Sequence, residues 1–192
     1  VTAARSRLNM LDAGVSIIEE SMMATEAFLK ARSGWNAVIN ADAAIREATA
    51  LAEEMSKENI LASQAKGNEA LAFLEEAQQD FSQAEAAYPS LDLAAFKAYV
   101  AKRIESQQAA LAAAEAYLSR NKEELEAQTS RYNALEEEAA ALAQKLGEDD
   151  PEQIVALRFY EEIEADQGAY EAERLKAGNA DAFLREYLGT AS

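Results

Sequence analysis

Two prolines, Pro89 and Pro151, interrupt a chain of 192 residues. A proline inside a helix removes a backbone hydrogen bond and clashes with the preceding turn, at a cost of about 3 kcal/mol. These two positions therefore mark places where helices stop or start, and the long stretches between them are free to run on. Only seven glycines are present to break them further. Ala, Glu, Leu, Lys, Arg and Gln fill most of the remaining positions, and these are the residues with the highest helix propensity. The fold class that follows is all-α.

Apolar spacing predicts where the helices lie. Leu8, Leu11, Val15, Ile18, Met22, Thr25 and Leu29 alternate by three and four, the seam of a bundle helix. Gly34 in "RSGWN" then offers a left-handed C-terminal position. A second helix is expected from Asn36 to Tyr88, weak around Gly67, where small residues would let backbones approach closely. After Pro89, Asp92 is the expected cap of a third helix running unbroken to Leu146. Its seam includes the polar residues Gln107, Asn121 and Gln128, which need partners or water. In "GEDDPEQ", Asp150 can cap, Pro151 opens the helix and Gln153 stands at the capping-box position. That fourth helix would end at Gly178, and "NADAFLREYL" would form a short fifth one carrying Phe183, Leu184, Tyr187 and Leu188.

Short corners near residues 33, 90 and 148 make consecutive helices antiparallel neighbours. Outer helices half as long as the inner pair can cover only one end of the central hairpin. The sequence thus predicts a single elongated antiparallel bundle over 1–192: four long helices plus a short C-terminal helix. Its body is expected over approximately 1–66 and 115–192. A two-helix coiled-coil arm, approximately 67–114, would project by roughly 30 Å, the length of about 20 helical residues.

Phe81, Tyr88, Leu91, Leu93, Phe96 and Tyr99 crowd the tip of that expected arm. They are the candidate contact residues for a protein partner or a second copy, because exposed apolar patches of a few hundred Å² mark interaction sites. The competing expectation is an arm that clusters its large residues to close on itself. Between Tyr88 and Ala110, three cations (Lys97, Lys102, Arg103) face two carboxylates (Asp92, Glu105), a local excess of +1 in a chain of net charge −17. Such a tip suits an acidic partner.

Composition limits the chemistry. A net charge of −17 opposes nucleic acid and anionic membrane faces, which bind cationic surfaces. No apolar run approaches the ~20 residues that span a bilayer, so no membrane insertion is expected. With neither cysteine nor histidine, thiol catalysis, disulfides and Cys/His zinc sites are excluded. "EEE" at 136–138 and "EEIE" at 161–164 read as solvated helix faces, since no EF-hand spacing accompanies them. No catalytic residue, metal site or cofactor is expected, and the chain reads as non-enzymatic.

The corner "SGWNAV" resembles the Trp-x-Gly turn of the ESX-secreted helical hairpins, and Tyr160 with Glu164 matches their Tyr-x-x-x-Asp/Glu export signal. Here Gly34 precedes Trp35 and Tyr160 stands within a Glu-rich helical run, so Trp35 is assigned the role of a hydrophobic staple. The functional expectation is a binding or scaffold module, extracytoplasmic or on a bacterial cell surface. The alternatives are a holdase-like chaperone that clamps clients with the arm tip, and a ligand-sensing bundle with Gln107, Asn121 and Gln128 around a small cavity.

Overall fold

The computed structural model describes the backbone of residues 2–145 and 151–189, and the side chains of 14–145, 155–176 and 178. It is an all-α bundle of five helices: α1 (Thr2–Ala52), α2 (Lys57–Ala87), α3 (Ala94–Leu118), α4 (Lys122–Gln144) and α5 (Pro151–Gly189). Helices α1 to α4 pack in sequence, each on the next, and α5 closes the ring by lying on both α1 and α4. One buried cluster draws on all five.

Pro89 and Pro151 act as expected. Pro89 follows the end of α2, where the Leu91 N–H donates to the Tyr88 carbonyl and closes a turn. Asp92 stands one residue before the cap position, which is Leu93 and has no side-chain cap bond; its carboxylate accepts from the Ala94 N–H at 3.1 Å, an Asx turn leading into α3. Glu85 reaches over from α2 to accept from the Leu93 N–H and pairs with Lys97. Pro151 is the first residue of α5. The expected Asp150 cap, the seam end at Leu146 and the side chains of Leu8, Leu11, Gln153, Phe183, Leu184, Tyr187 and Leu188 lie outside the described residues.

The remaining boundaries differ from the expectation, for a common reason: glycine marks no break here, and two polar caps do. Gly34 does not end a helix. It sits within α1, where an added Cβ would meet the Phe81 ring at 2.8 Å, so its small size seats an aromatic ring from α2. Because α1 continues, there is no turn at Trp35 and the hairpin resemblance has no structural counterpart. Nor does Gly178 end α5, which continues to Gly189.

The first real break falls at residues 53–56. Ser56 caps α2 by accepting from the Asn59 N–H at 3.1 Å, and Asn59 donates its side-chain amide to Glu54. The second divides the expected third helix at Ser119–Asn121. There the Arg120 N–H bonds to the Tyr117 carbonyl and the Asn121 N–H to the Ala116 carbonyl, the paired bonds of a Schellman motif. Arg120 takes the left-handed position at φ 58°. Asn121 then caps α4, accepting from the Glu124 N–H, with Glu123 and Glu124 in the first turn, where acids suit the positive end of the helix dipole.

These breaks relocate the arm. The hairpin 67–114 does not project; it lies inside the body. Lys30 of α1 pairs with Asp80 of α2 at 3.1 Å, Ser106 of α3 donates to Glu136 of α4, and Lys102 pairs with Glu138. What leaves the body is the start of α1 and the end of α5. Every described side chain over 14–23 and 171–176 is at least partly exposed.

Candidate functional site

The six residues expected at a contact tip are brought together, but inside the protein. Phe81, Leu91, Leu93, Phe96 and Tyr99 belong to the core, and Tyr88 is half-buried against it. Since α1 runs on past Gly34, the Pro89 corner lies midway along it and is covered rather than free. Trp35 of α1 stacks on Phe159 of α5 at 4.9 Å, and Phe96 meets both rings edge-on. Phe28, Tyr88 and Tyr170 form a second trio of edge contacts beside them. The apolar surface of the corner is thus the central packing layer. In the folded chain it offers a partner little to touch.

Asp166 borders this aromatic layer. Burial raises its pKa above the usual carboxylate value, with Glu162 adding to the effect, and its Oδ2 is sealed without a hydrogen-bond partner. Burial also raises the pKa of the Tyr88 hydroxyl, with the charge of Asp166 next in importance.

Exposed large apolar side chains are most numerous on α1, with others at Met55, Leu61, Leu157, Tyr160 and Leu175 among the described residues. Helical phase at about 100° per residue puts Val15, Ile18, Met22, Thr25 and Leu29 on one stripe. The residues that α1 buries, Ala24, Ala27, Phe28, Ala31, Trp35 and Val38, lie on the opposite side. Val15 is 54% exposed, Ile18 61%, Met22 69% and Leu29 63%. The seam expected to face the bundle therefore faces away from it. The physical reason is close approach: Ala24, Ala27 and Ala31 form a small-residue face that lets neighbouring helices come near, and Phe28 and Trp35 supply the bulk. A second apolar face was present in the sequence as that Ala/Phe/Trp row, also spaced by three and four.

The stripe is bordered by acid. From Gly14 to Leu29 the only charged residues are Glu19, Glu20 and Glu26, and Glu19 and Glu26, seven apart, run along one edge of the stripe.

The three polar seam residues separate. Gln107 is buried, donates to the Gly67 carbonyl at 3.2 Å, and lines a cleft near the end of the bundle. Asn121 is the α4 cap and lines a neighbouring recess. Gln128 lines neither; it donates to Glu124 while its own Oε1 stays buried without a partner. Among the described residues no group of three or more carboxylates is arranged to hold a metal ion, and no helix is long and apolar enough to cross a membrane.

No family model, no curated protein and no solved structure matches this chain.

Proposed function

We propose that the chain is a non-enzymatic helical binding module that seats an amphipathic helix of a partner protein along the outer stripe of α1. The observation that carries this is the row Val15, Ile18, Met22 and Leu29, each more than half exposed, on the face opposite the core. Helix-on-helix docking reads such i, i+3, i+7 anchors. The partner's chemistry follows from the border: Glu19 and Glu26, seven apart along one edge of the stripe, favour basic residues flanking the partner's apolar stripe on that side. A second copy of the chain would bring like charges together, which disfavours self-association.

The non-enzymatic part rests on a chain without histidine or cysteine. An extracytoplasmic setting belongs to the same proposal. A clamp built on the Pro89 corner loses its support, because the corner's large residues are covered.

The test replaces Val15, Ile18, Met22 and Leu29 together with Ser. Helicity and thermal midpoint are expected to hold, since these side chains contribute little burial. The probe is a labelled Leu/Lys amphipathic helical peptide, with a sequence-scrambled peptide of equal composition as control. The wild-type chain is expected to bind the amphipathic peptide in preference to the scrambled one, and the variant to lose that preference. Equal binding of both peptides by the wild type overturns the proposal, and so does a stripe-dependent dimer seen by light scattering.

A further inference from the structure

At the end of the bundle away from the stripe, the final turns of α1 and the facing parts of α2, α3 and α4 enclose a cleft of about 290 Å³. Small residues on three helices (Ala48, Ala52, Gly67, Ala110, Ala114) keep its walls thin. In the middle of the bundle α5 lies on both α1 and α4, with Phe159 in the core. Here no residue of α5 takes part, and the space stays open. Among the residues lining the cleft there is no Asp, Glu, Lys or Arg, although charged residues make up 28% of the chain. The polar side chains that line it carry hydroxyls and amides: Thr49, Ser63, Gln64, Gln107, Tyr117, Thr129 and Tyr132.

A second recess of about 380 Å³ adjoins the first, sharing Tyr117 and Leu125 as lining residues. Its character is the reverse. Its charged residues are Lys57, Arg120 and Lys122, all cations. The acids of the same turns, Glu53, Glu54, Glu58, Glu123 and Glu124, are not in its lining. Lys122 makes only a long, exposed pair with Glu126, at 3.6 Å. The Tyr117 hydroxyl donates to the Met55 carbonyl at 2.6 Å, which fixes the ring shared by the two recesses.

An uncharged cleft beside a recess whose charged lining residues are all cations can sort a ligand by its two ends. We propose that this end of the bundle binds a single-chain anionic amphiphile, a medium-chain fatty acid, with its tail in the cleft and its carboxylate among Lys57, Arg120 and Lys122. A guanidinium can hold a carboxylate through two parallel hydrogen bonds. The cleft's 290 Å³ accommodates roughly ten chain carbons if each takes about the ~30 Å³ of a water. Repulsion from the more distant part of the net charge of −17 is screened beyond about 8 Å at physiological salt, and the charged groups lining the recess itself are the three cations.

The experiment is calorimetric titration of the full chain with decanoate, below its micelle concentration and at neutral pH. One site per chain is expected, with decylamine binding at least tenfold more weakly. Replacing Lys57, Arg120 and Lys122 together with Gln should weaken decanoate at least tenfold and leave 1-decanol unchanged. Ala114→Phe, which fills the cleft, should weaken decanoate and decanol alike. If that variant unfolds by circular dichroism, Thr129→Phe at an exposed rim position replaces it. Phosphatidylglycerol vesicles are expected not to bind. The proposal is overturned if decanoate gives no saturable heat, if decylamine binds equally well, or if the triple Gln variant is unaffected. Vesicle binding that survives the filled cleft would also overturn it, by making the site a membrane-attracting surface.

Discussion

Arg103 of α3 extends a guanidinium nitrogen to within 2.7 Å of the Asp42 carboxylate of α1 while donating to the Tyr99 hydroxyl from the other side. Both partners are largely withdrawn from water, and the pair joins two helices that are not neighbours in the sequential packing. Desolvated pairs of this kind are expensive to break from one side, because the remaining charge stays buried.

Arg103→Leu should therefore cost about 3 kcal/mol, near the low end for breaking a buried pair. Arg103→Leu combined with Asp42→Leu should recover most of that loss, since an apolar replacement of both partners removes the unpaired charge. Urea midpoints of the two single variants and the double variant measure this; a double variant as unstable as the sum of the singles contradicts it.

Arg120 is the residue with positive φ among the described non-glycine positions. A left-handed conformation costs an L-residue roughly 1–2 kcal/mol that glycine does not incur. Arg120→Gly should raise the thermal midpoint by about 2–4 °C, the usual response of a chain this size to 1 kcal/mol. Arg120→Lys, equally strained, should leave it unchanged.

Glycine substitutions should split by surroundings. Gly168 and Gly14 lie within helices with nothing near an added Cβ, so Gly→Ala at either should stabilise by roughly 0.5–1 kcal/mol through helix propensity. Gly34→Val should instead destabilise by about 1–3 kcal/mol, because its Cβ would press on Phe81 and the Ala77 carbonyl. Thermal melts that rank Gly34→Val with the other two would mean that Phe81 does not seat there.

Asp166 gives a pH dependence of defined sign. Its pKa is raised in the folded chain, chiefly by burial, so the native state holds the proton more tightly than the unfolded state. Stability from this group is then greatest below the ordinary carboxylate pKa and falls as pH rises through the raised value. Asp166→Asn removes the penalty. At neutral pH it should stabilise by about 1 kcal/mol or less, discounted because solvent still reaches the residue. The gain should vanish near pH 3, where the wild-type carboxyl is neutral in both states. Melts of both proteins at the two pH values decide it; a gain of equal size at pH 3 would assign the effect to packing.

The two prolines were legible because proline acts through its own ring and needs no partner. Pro151 lies where helix-start chemistry predicts, while Asp92 falls one residue short of the cap, which Leu93 occupies. The breaks at Ser56 and Asn121 carried signals too, Ser56 ahead of Asn59 and Asn121 ahead of two glutamates. At Asn121 the signal was masked by a periodicity that continues in phase across it, so the same residue fits a seam and a cap. Gly34 misleads in the opposite way: its reason lies in Phe81, 47 positions later, a contact that local spacing does not encode. The stripe on α1 was visible as a stripe, but its direction was not. Both sides of that helix are apolar, and which side turns inward depends on how closely the Ala24, Ala27 and Ala31 face can approach its neighbours.

Helix α1 carries Val15 near one end and Ala52 at the other without a cap, a proline or a left-handed residue between them. Over that span of roughly 55 Å, at about 1.5 Å per residue, it has no joint. A load on the stripe and a guest against Ala48 and Ala52 would bear on the same beam, so a tilt or axial rotation imposed at one end must be absorbed by the bundle or delivered at the other. The mechanics of this protein are those of a strut.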